Sequence, residues 1–313
     1  MVPRKGVRHL LTVESLQPEE IREIFRIAHQ LKTKWIRGEY TPLLAGRVMA
    51  LLFEKPSLRT RVSFQSAMAQ LGGSSLYLGQ ETGFGKREKL ADFVRVLSRY
   101  VDVIVVRAFE HAAVEEFATY ATVSVINGLT DYCHPCQALA DLFTIEEHFG
   151  SLEGQRVAYI GDGNNVARSL AMACAKLGVP FVMATPRGYR FPEHYVRRLV
   201  ANGMTEGLKV TEDPAEAVRD ATVVYTDVWT SMGQEAEAEQ RRRDFAAYQV
   251  NEILLAQAAP NAIFMHCMPA HRGEEVTDGV MDGPQSVVLE QAANRLHLQK
   301  GILVWLLRGS LDA

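Results

Sequence analysis

Nine short apolar runs recur along the chain, separated by stretches whose apolar residues fall at helical spacing, and this alternation constrains the fold more than any other feature. Residues 47–53, 75–78, 101–107, 122–127, 156–162, 181–185, 222–227, 262–268 and 286–290 read as strands. Helices are predicted over 18–37, closed by Gly38, and then over 89–100, 112–120, 138–149, 167–177 and 193–202. Strands alternating with helices imply parallel sheets covered on both faces, an α/β chain of doubly wound type. At 313 residues the chain exceeds the usual size of one domain. The segment 150–154 (GSLEG) is the expected boundary, with a first domain over 1–149, a second over 150–290, and a final helix over 291–313 returning to the first.

In open α/β sheets ligands collect beyond the carboxyl ends of the strands, so the residues that follow each run are the ones to read. The stretch 53–64, FEKPSLRTRVSF, is the richest. Pro56 stops the first strand and Ser57 stands where a helix N-cap would, which leaves free amide groups and the positive end of a helix dipole in front of the turn. With Arg59, Thr60 and Arg61 beside it, this turn suits a phosphate. The spacing alone equally fits an ordinary capped helix with solvated arginines.

Arg107 ends another strand-like run. In TDYCHPCQALAD (130–141), Pro135 suits a first helical turn, and His134 with Gln137 would share one face, able to hydrogen-bond a carbonyl oxygen and an NH2 group without added charge. His134 also fits a satisfied core histidine, and Cys133 with Cys136 forms a C-x-x-C spacing open to a thiol redox role. The stretch AYIGDGNNVARS (158–169) invites a dinucleotide reading, which fails because the third glycine is Val166 and the next strand ends at Thr185 without an acidic residue. Asn164 and Asn165 remain there as neutral hydrogen-bonding groups. Asp227 ends a strand ahead of a glycine-containing, charged segment that fits a lid, and Cys267 ends another. His266, His271, Glu274 and Glu275 give no metal-ligand spacing on a single element, so no metal and no other cofactor is expected.

Bulk properties narrow the partners. There are 34 basic and 37 acidic residues, a net charge of −3 that draws neither nucleic acid nor an acidic membrane. No apolar run approaches the ~18 residues of a membrane span and no signal-type segment opens the chain, so a cytoplasmic enzyme is expected. Four cysteines, Cys133, Cys136, Cys174 and Cys267, give no disulfide framework.

Taken in order, FEKPSLRTR, the strand-end Arg107, HPCQALAD, GDGNN, DVWTSMGQE, HCMPAHRGEE and EQAANRLH resemble the ornithine carbamoyltransferases, within the aspartate/ornithine carbamoyltransferase superfamily, across essentially the whole chain. The resemblance implies two α/β domains with the active site in the cleft between them, and a homotrimer or multiple of trimers. It implies carbamoyl phosphate contacts from Ser57, the Leu58 amide, Arg59, Thr60, Arg107, His134, Gln137, Cys267, Met268 and Arg295. Ornithine contacts fall to Asn165, Asp227, Ser231 and Met232, and the catalytic set to Cys267, Arg107, His134 and Asp227. Residues 79–89 match a loop that, in this superfamily, contacts a neighbouring active site. One departure concerns substrate choice: the commonest phosphate motif is S-T-R-T-R, and here Leu58 replaces the first threonine. Sister enzymes acting on acetylornithine, putrescine or aspartate are the alternative, with a thiol redox protein more remote.

Overall fold

The computed structural model describes residues 7–80, 88–204, 208–231 and 233–311. The expected loop over 79–89 lies largely outside them. Two compact units emerge, Met1–Ala140 with Asn294–Ala313, and Asp141–Ala293. The chain therefore changes unit within α5 (Pro135–Phe149) and again within α12 (Val288–Leu307).

In the first unit, β1 (Val48–Phe53), β2 (Ser74–Leu78), β3 (Val103–Arg107) and β4 (Ser124–Leu129) form a parallel sheet in the order β2-β1-β3-β4. The helices α1 (Pro18–Ile36), α2 (Leu58–Gln70), α3 (Leu90–Leu97) and α4 (His111–Tyr120) precede and connect these strands. Alternate residues of the two central strands, Ala50 and Leu52 with Ile104 and Val106, pack against Val94, Leu97, Val114 and Phe117 of α3 and α4. Both central strands are buried on both faces, which is why they read as unbroken apolar runs rather than alternating ones.

The second unit holds β5 (Val157–Ile160), β6 (Phe181–Ala184), β7 (Leu208–Thr211), β8 (Val223–Thr226) and β9 (Ile263–His266), all parallel, in the order β7-β6-β5-β8-β9. Helices α6 (Asn165–Leu177), α7 (Glu193–Ala201), α8 (Pro214–Val218), α9 (Ala238–Phe245), α10 (Glu252–Leu255) and α11 (Asp278–Met281) lie between them or follow β9. One of its core clusters gathers Ala158, Ile160, Val182, Val224 and Phe264 from the strands with Trp229, Phe245 and Tyr248.

Two expectations need correction. The strand expected over 286–290 is a single bridge, Phe264↔Ser286, after which Val288 starts α12. An apolar Val-Val-Leu run straddles a bridge and a helix start, and its Leu289 points into solvent. Conversely, β7 escapes the sequence because an edge strand carries half-exposed Lys209 and Thr211 instead of an apolar run.

In both sheets the chain winds outward from its first strand and then returns on the other side of it. The reversals lie between β1 and β3 and between β5 and β8, and at such switch points adjacent loops diverge and leave room for a ligand.

Candidate active site

Two groups of side chains sit beyond these switch points, one in each unit. In the first, Phe53 and Arg107 are register partners, so the turn after β1 and the end of β3 are neighbours. Ser57 has extended dihedrals (φ −160°, ψ 113°) and its hydroxyl accepts from the Thr60 amide at 3.3 Å, capping α2 as the sequence implies. The capped turn places the Leu58 amide at the helix opening while its side chain is 75% exposed. Threonine at position 58 would therefore project outward, and the departure from the common motif leaves the backbone donor in place. Arg59 is exposed and Thr60 buried. Arg61 does not join them: its guanidinium stacks 3.8 Å from the Tyr77 ring centroid and its Nε donates to Gln65.

Arg295 of α12 donates from Nη1 to Gln137 Oε1 and from Nη2 to Thr60 Oγ1 at 3.4 Å, which joins α2, α5 and α12 in one polar cluster. His134, immediately before α5, is buried. Burial, together with the Arg295 and Arg107 charges, holds its pKa well below the ordinary histidine value, so the ring is neutral. Arg107 is pushed down to about 10 by burial and by the charges of Arg295 and Arg59. No carboxylate is among the groups that shift it, and its Nε has no hydrogen-bond partner among the described residues. Arg107 thus stands within reach of two like charges, Arg295 and Arg59, and the cluster is cationic.

The C-x-x-C pair has another task. Cys136 is fully buried, donates to the Asn127 carbonyl at 3.6 Å and is raised to about 12 by burial. Cys133 accepts from Asn127 Nδ2 and donates to the Leu11 carbonyl. A redox pair would need a stabilised thiolate, and Cys136 is driven the opposite way.

In the second unit, Ile160↔Thr226 and Thr226↔His266 are register pairs, so the residues after β5, β8 and β9 emerge side by side. Asp227 is buried. Its Oδ2 accepts from Asn164 Nδ2 at 2.9 Å and its Oδ1 from the Cys267 thiol at 3.0 Å. Asn164 is also the N-cap of α6, its Oδ1 accepting from the Val166 and Ala167 amides at 2.9 and 3.0 Å, and Asn165 is the first residue of that helix. Gly163 has a reason other than a pyrophosphate: a Cβ there would meet the Tyr189 carbonyl oxygen at 2.8 Å.

Beyond Asp227, the Ser231 amide donates to Gln234, while Met232 lies outside the described residues. The segment is anchored by buried Arg241, which donates to Asp162 at 2.7 Å and to the Trp229 carbonyl at 3.1 Å. Met268 has φ +59° and precedes a cis bond to Pro269. Its amide donates to His266 Nδ1, leaving Nε2–H to face buried Glu275 at 3.2 Å. Asp227, His266 and Cys267 come close enough to share an ion, but both nitrogens of His266 and both oxygens of Asp227 are already committed to these hydrogen bonds.

Sequence reading missed Asn164 as the partner of Asp227, the Arg241–Asp162 pair, and Gln291, whose side chain accepts from the His266 amide and donates to buried Asp141. Only Asn164 carried a signal. An N-cap asparagine uses its carbonyl oxygen on the helix and keeps an amide NH2 for another partner.

The profile of the aspartate/ornithine carbamoyltransferase carbamoyl-P binding domain matches residues 8–147, and that of the Asp/Orn binding domain matches residues 153–306. The chain belongs to the aspartate/ornithine carbamoyltransferase family. An ornithine carbamoyltransferase of Anoxybacillus flavithermus is 54% identical over 304 residues, covering 96% of each chain, and one of Pyrococcus abyssi is 52% identical over 312 residues, covering 99% of this chain and 98% of the other. Among solved structures, the ornithine carbamoyltransferase of Pyrococcus furiosus superposes with a TM-score of 0.93 at 51% identity, covering 99% of this chain and all of the other. The enzyme from Thermus thermophilus gives 0.86 at 43% identity, with 96% and 99% covered.

Proposed function

We propose that the chain is an ornithine carbamoyltransferase, transferring the carbamoyl group of carbamoyl phosphate to the δ-amine of L-ornithine to give L-citrulline and phosphate, a step of arginine biosynthesis. The observation that carries the reading is the cationic cluster around Arg107, whose guanidinium is shifted only by burial and by like charges. Such an arrangement is relieved by a dianion, and carbamoyl phosphate supplies one.

In this proposal the phosphate sits on the amides of the capped turn, with Ser57, Arg59, Thr60 and Arg107 around it. Arg295, Thr60 and neutral His134 donate to the carbonyl oxygen, and Gln137, Met268 and Cys267 complete the carbamoyl contacts. The donors gain strength as that oxygen becomes negative in the tetrahedral intermediate, an effect worth about 3 kcal/mol per donor in comparable sites. Neutrality matters for His134, which can hydrogen-bond without adding a fourth positive charge.

The acceptor is held by Asn165, Ser231 and Met232 at its amino-acid end and by Asp227 and Cys267 at its amine. Its nitrogen attacks the carbonyl carbon, the C–O bond to phosphate breaks with its electron pair leaving on phosphate, and the departing phosphate takes the amine proton. Attack requires the two substrates to meet, so the proposal brings the ornithine amine to the carbamoyl carbon. It also includes a homotrimer or multiple of trimers, supported by exposed Leu58, Val62 and Leu76 on α2 and β2. A cytoplasmic location is proposed as well; among the described residues, no helix is long and apolar enough to cross a membrane.

The test is product analysis at fixed carbamoyl phosphate with ornithine, acetylornithine, putrescine and aspartate as competing acceptors. Citrulline should dominate. A faster reaction with any of the other three would replace this reading by that of the corresponding sister enzyme.

A further inference from the structure

We infer that the second unit carries a further ligand site, for an apolar α-amino acid, in a cavity at the amino-terminal ends of β5 and β6. The cavity has a volume of about 480 Å³, within the range of small-molecule sites. Arg156, just before β5, and Pro180, just before β6, line it, as does Lys209 of the neighbouring β7. The side chains of the candidate active site lie beyond the opposite end of β5. That strand is four residues long, so about 13 Å of backbone separates the two places.

Two polar groups of opposite kind border this space. Arg156 is half-buried, and among the described residues its guanidinium meets no carboxylate; its Nε is fully buried without a hydrogen-bond partner. Lys209, by contrast, is paired with Glu216 at 2.6 Å. Arg156 is therefore the uncompensated charge of the lining. The second group is at the end of α6. Gly178 closes that helix in the left-handed conformation, and the amides of Gly178 and Val179 both bond to the Cys174 carbonyl. The Ala175 carbonyl receives neither of them. It lies against Gly203, where a Cβ would meet its oxygen at 2.7 Å, and both residues line the cavity. A helix end of this kind offers bare acceptors and partial negative charge.

Val179, Pro180, Val182 and Met204 make the rest of the wall apolar. A carboxylate alone would satisfy the guanidinium and face the negative helix end, while an amine alone would do the reverse. An α-amino acid supplies both charges on one carbon, with a side chain left over for the apolar wall.

Calorimetric titration of the full chain with L-leucine tests the site, beside 4-methylpentanoate, which lacks the ammonium group, and 3-methylbutylamine, which lacks the carboxylate. Leucine should bind at least about tenfold more tightly than either fragment, the scale of losing a hydrogen bond to a charged group. Arg156→Met should weaken leucine binding by about tenfold or more and leave the rate of carbamoyl transfer to ornithine unchanged. Asp227→Asn should bind leucine as the wild type does. Absence of saturable binding, binding that survives Arg156→Met, or binding lost in Asp227→Asn would overturn the inference. A fragment that binds as tightly as leucine would overturn the amino-acid class. Soaking wild-type crystals in leucine gives a reading that needs no variant: density between Arg156 and Ala175 supports the site, and density only beyond the ends of β5, β8 and β9 refutes it. None of these binding measurements depends on which acceptor the enzyme carbamoylates, so a failure of the proposed function would be seen separately.

Discussion

Around the ends of β1, β3 and β4 the protein gathers cations, whereas around the ends of β5, β8 and β9 it gathers a carboxylate already bonded through both oxygens. In the first cluster Arg107 is lowered by burial and by the charges of Arg295 and Arg59, and His134 is kept neutral by burial and by the charges of Arg295 and Arg107. In the second, Asn164 and Cys267 satisfy Asp227 before any ligand arrives. An unbalanced cluster pays its electrostatic cost in the free protein and recovers it when an anion binds. A balanced one gains less from a cation, and that suits an amine which must lose its proton before it can attack: a bare carboxylate would hold the ammonium form too strongly.

The sharpest way to break this contrast is Arg59→Ala. Arg59 is exposed, so the circular dichroism spectrum should be unchanged while kcat/KM for carbamoyl phosphate falls about a thousandfold or more, the scale of removing a preorganised donor to developing charge. Near-normal turnover would remove the phosphate from the capped turn. Asp227→Asn comes next. With ornithine, kcat should drop by about a hundredfold, while calorimetric affinity for phosphate stays within about threefold because the dianion belongs to the other cluster. Parallel losses of acceptor turnover and phosphate affinity would abolish the division of labour.

Much of this was legible in the sequence, for reasons that also mark where legibility ends. Central strands buried on both faces announce themselves as apolar runs, and their last residues, Arg107, Asp227 and the approach to Cys267, could be placed from that alone. Ser57 followed from capping chemistry. Arg61 was misplaced although helical geometry forbids it: residues two apart are about 200° around the helix, so Arg59 and Arg61 cannot both face one ligand. The bond from Asn164 to Asp227 spans 63 positions. Nothing local encodes it, because the cap rule states where the oxygen points and not where the amide goes. The buried Arg241–Asp162 pair was hidden in the same way, inside a charged segment that read as solvated surface.

Arg107→Met sharpens the comparison on stability. A pKa near 10, against the ordinary 12.5, means that the unfolded chain holds this proton more tightly. The burial cost is therefore fully present at every pH below about 10 and fades only as pH rises through that value. Methionine should raise the stability of the ligand-free protein by about 1–3 kcal/mol at pH 7. It should also sharply reduce protection by phosphate, which at 100 times its Kd stabilises a protein that binds it by about 2.7 kcal/mol. Lower stability with undiminished phosphate protection would show that Arg107 is a structural group rather than part of an anion site.

The smallest expected effect concerns His134. Its folded pKa lies well below 6.5, so at pH 7 the ring is neutral in both the folded and the unfolded chain and contributes no slope. As pH falls through 6.5 the unfolded ring takes up a proton that the folded one refuses, and stability drops by at most about 1.4 kcal/mol per pH unit for this group. His9, lowered by burial, and His297, lowered to about 3, act in the same direction. Urea unfolding of wild type and His134→Asn at pH 7 and pH 5 isolates the contribution: the stability of the variant should decline less between the two pH values, by about 1–2 kcal/mol. An unaltered decline, or an NMR titration placing the His134 ring near 6.5, would mean that the arginines do not hold it neutral, and the carbonyl end of the first cluster would then carry a titrating charge that the proposed mechanism does not allow.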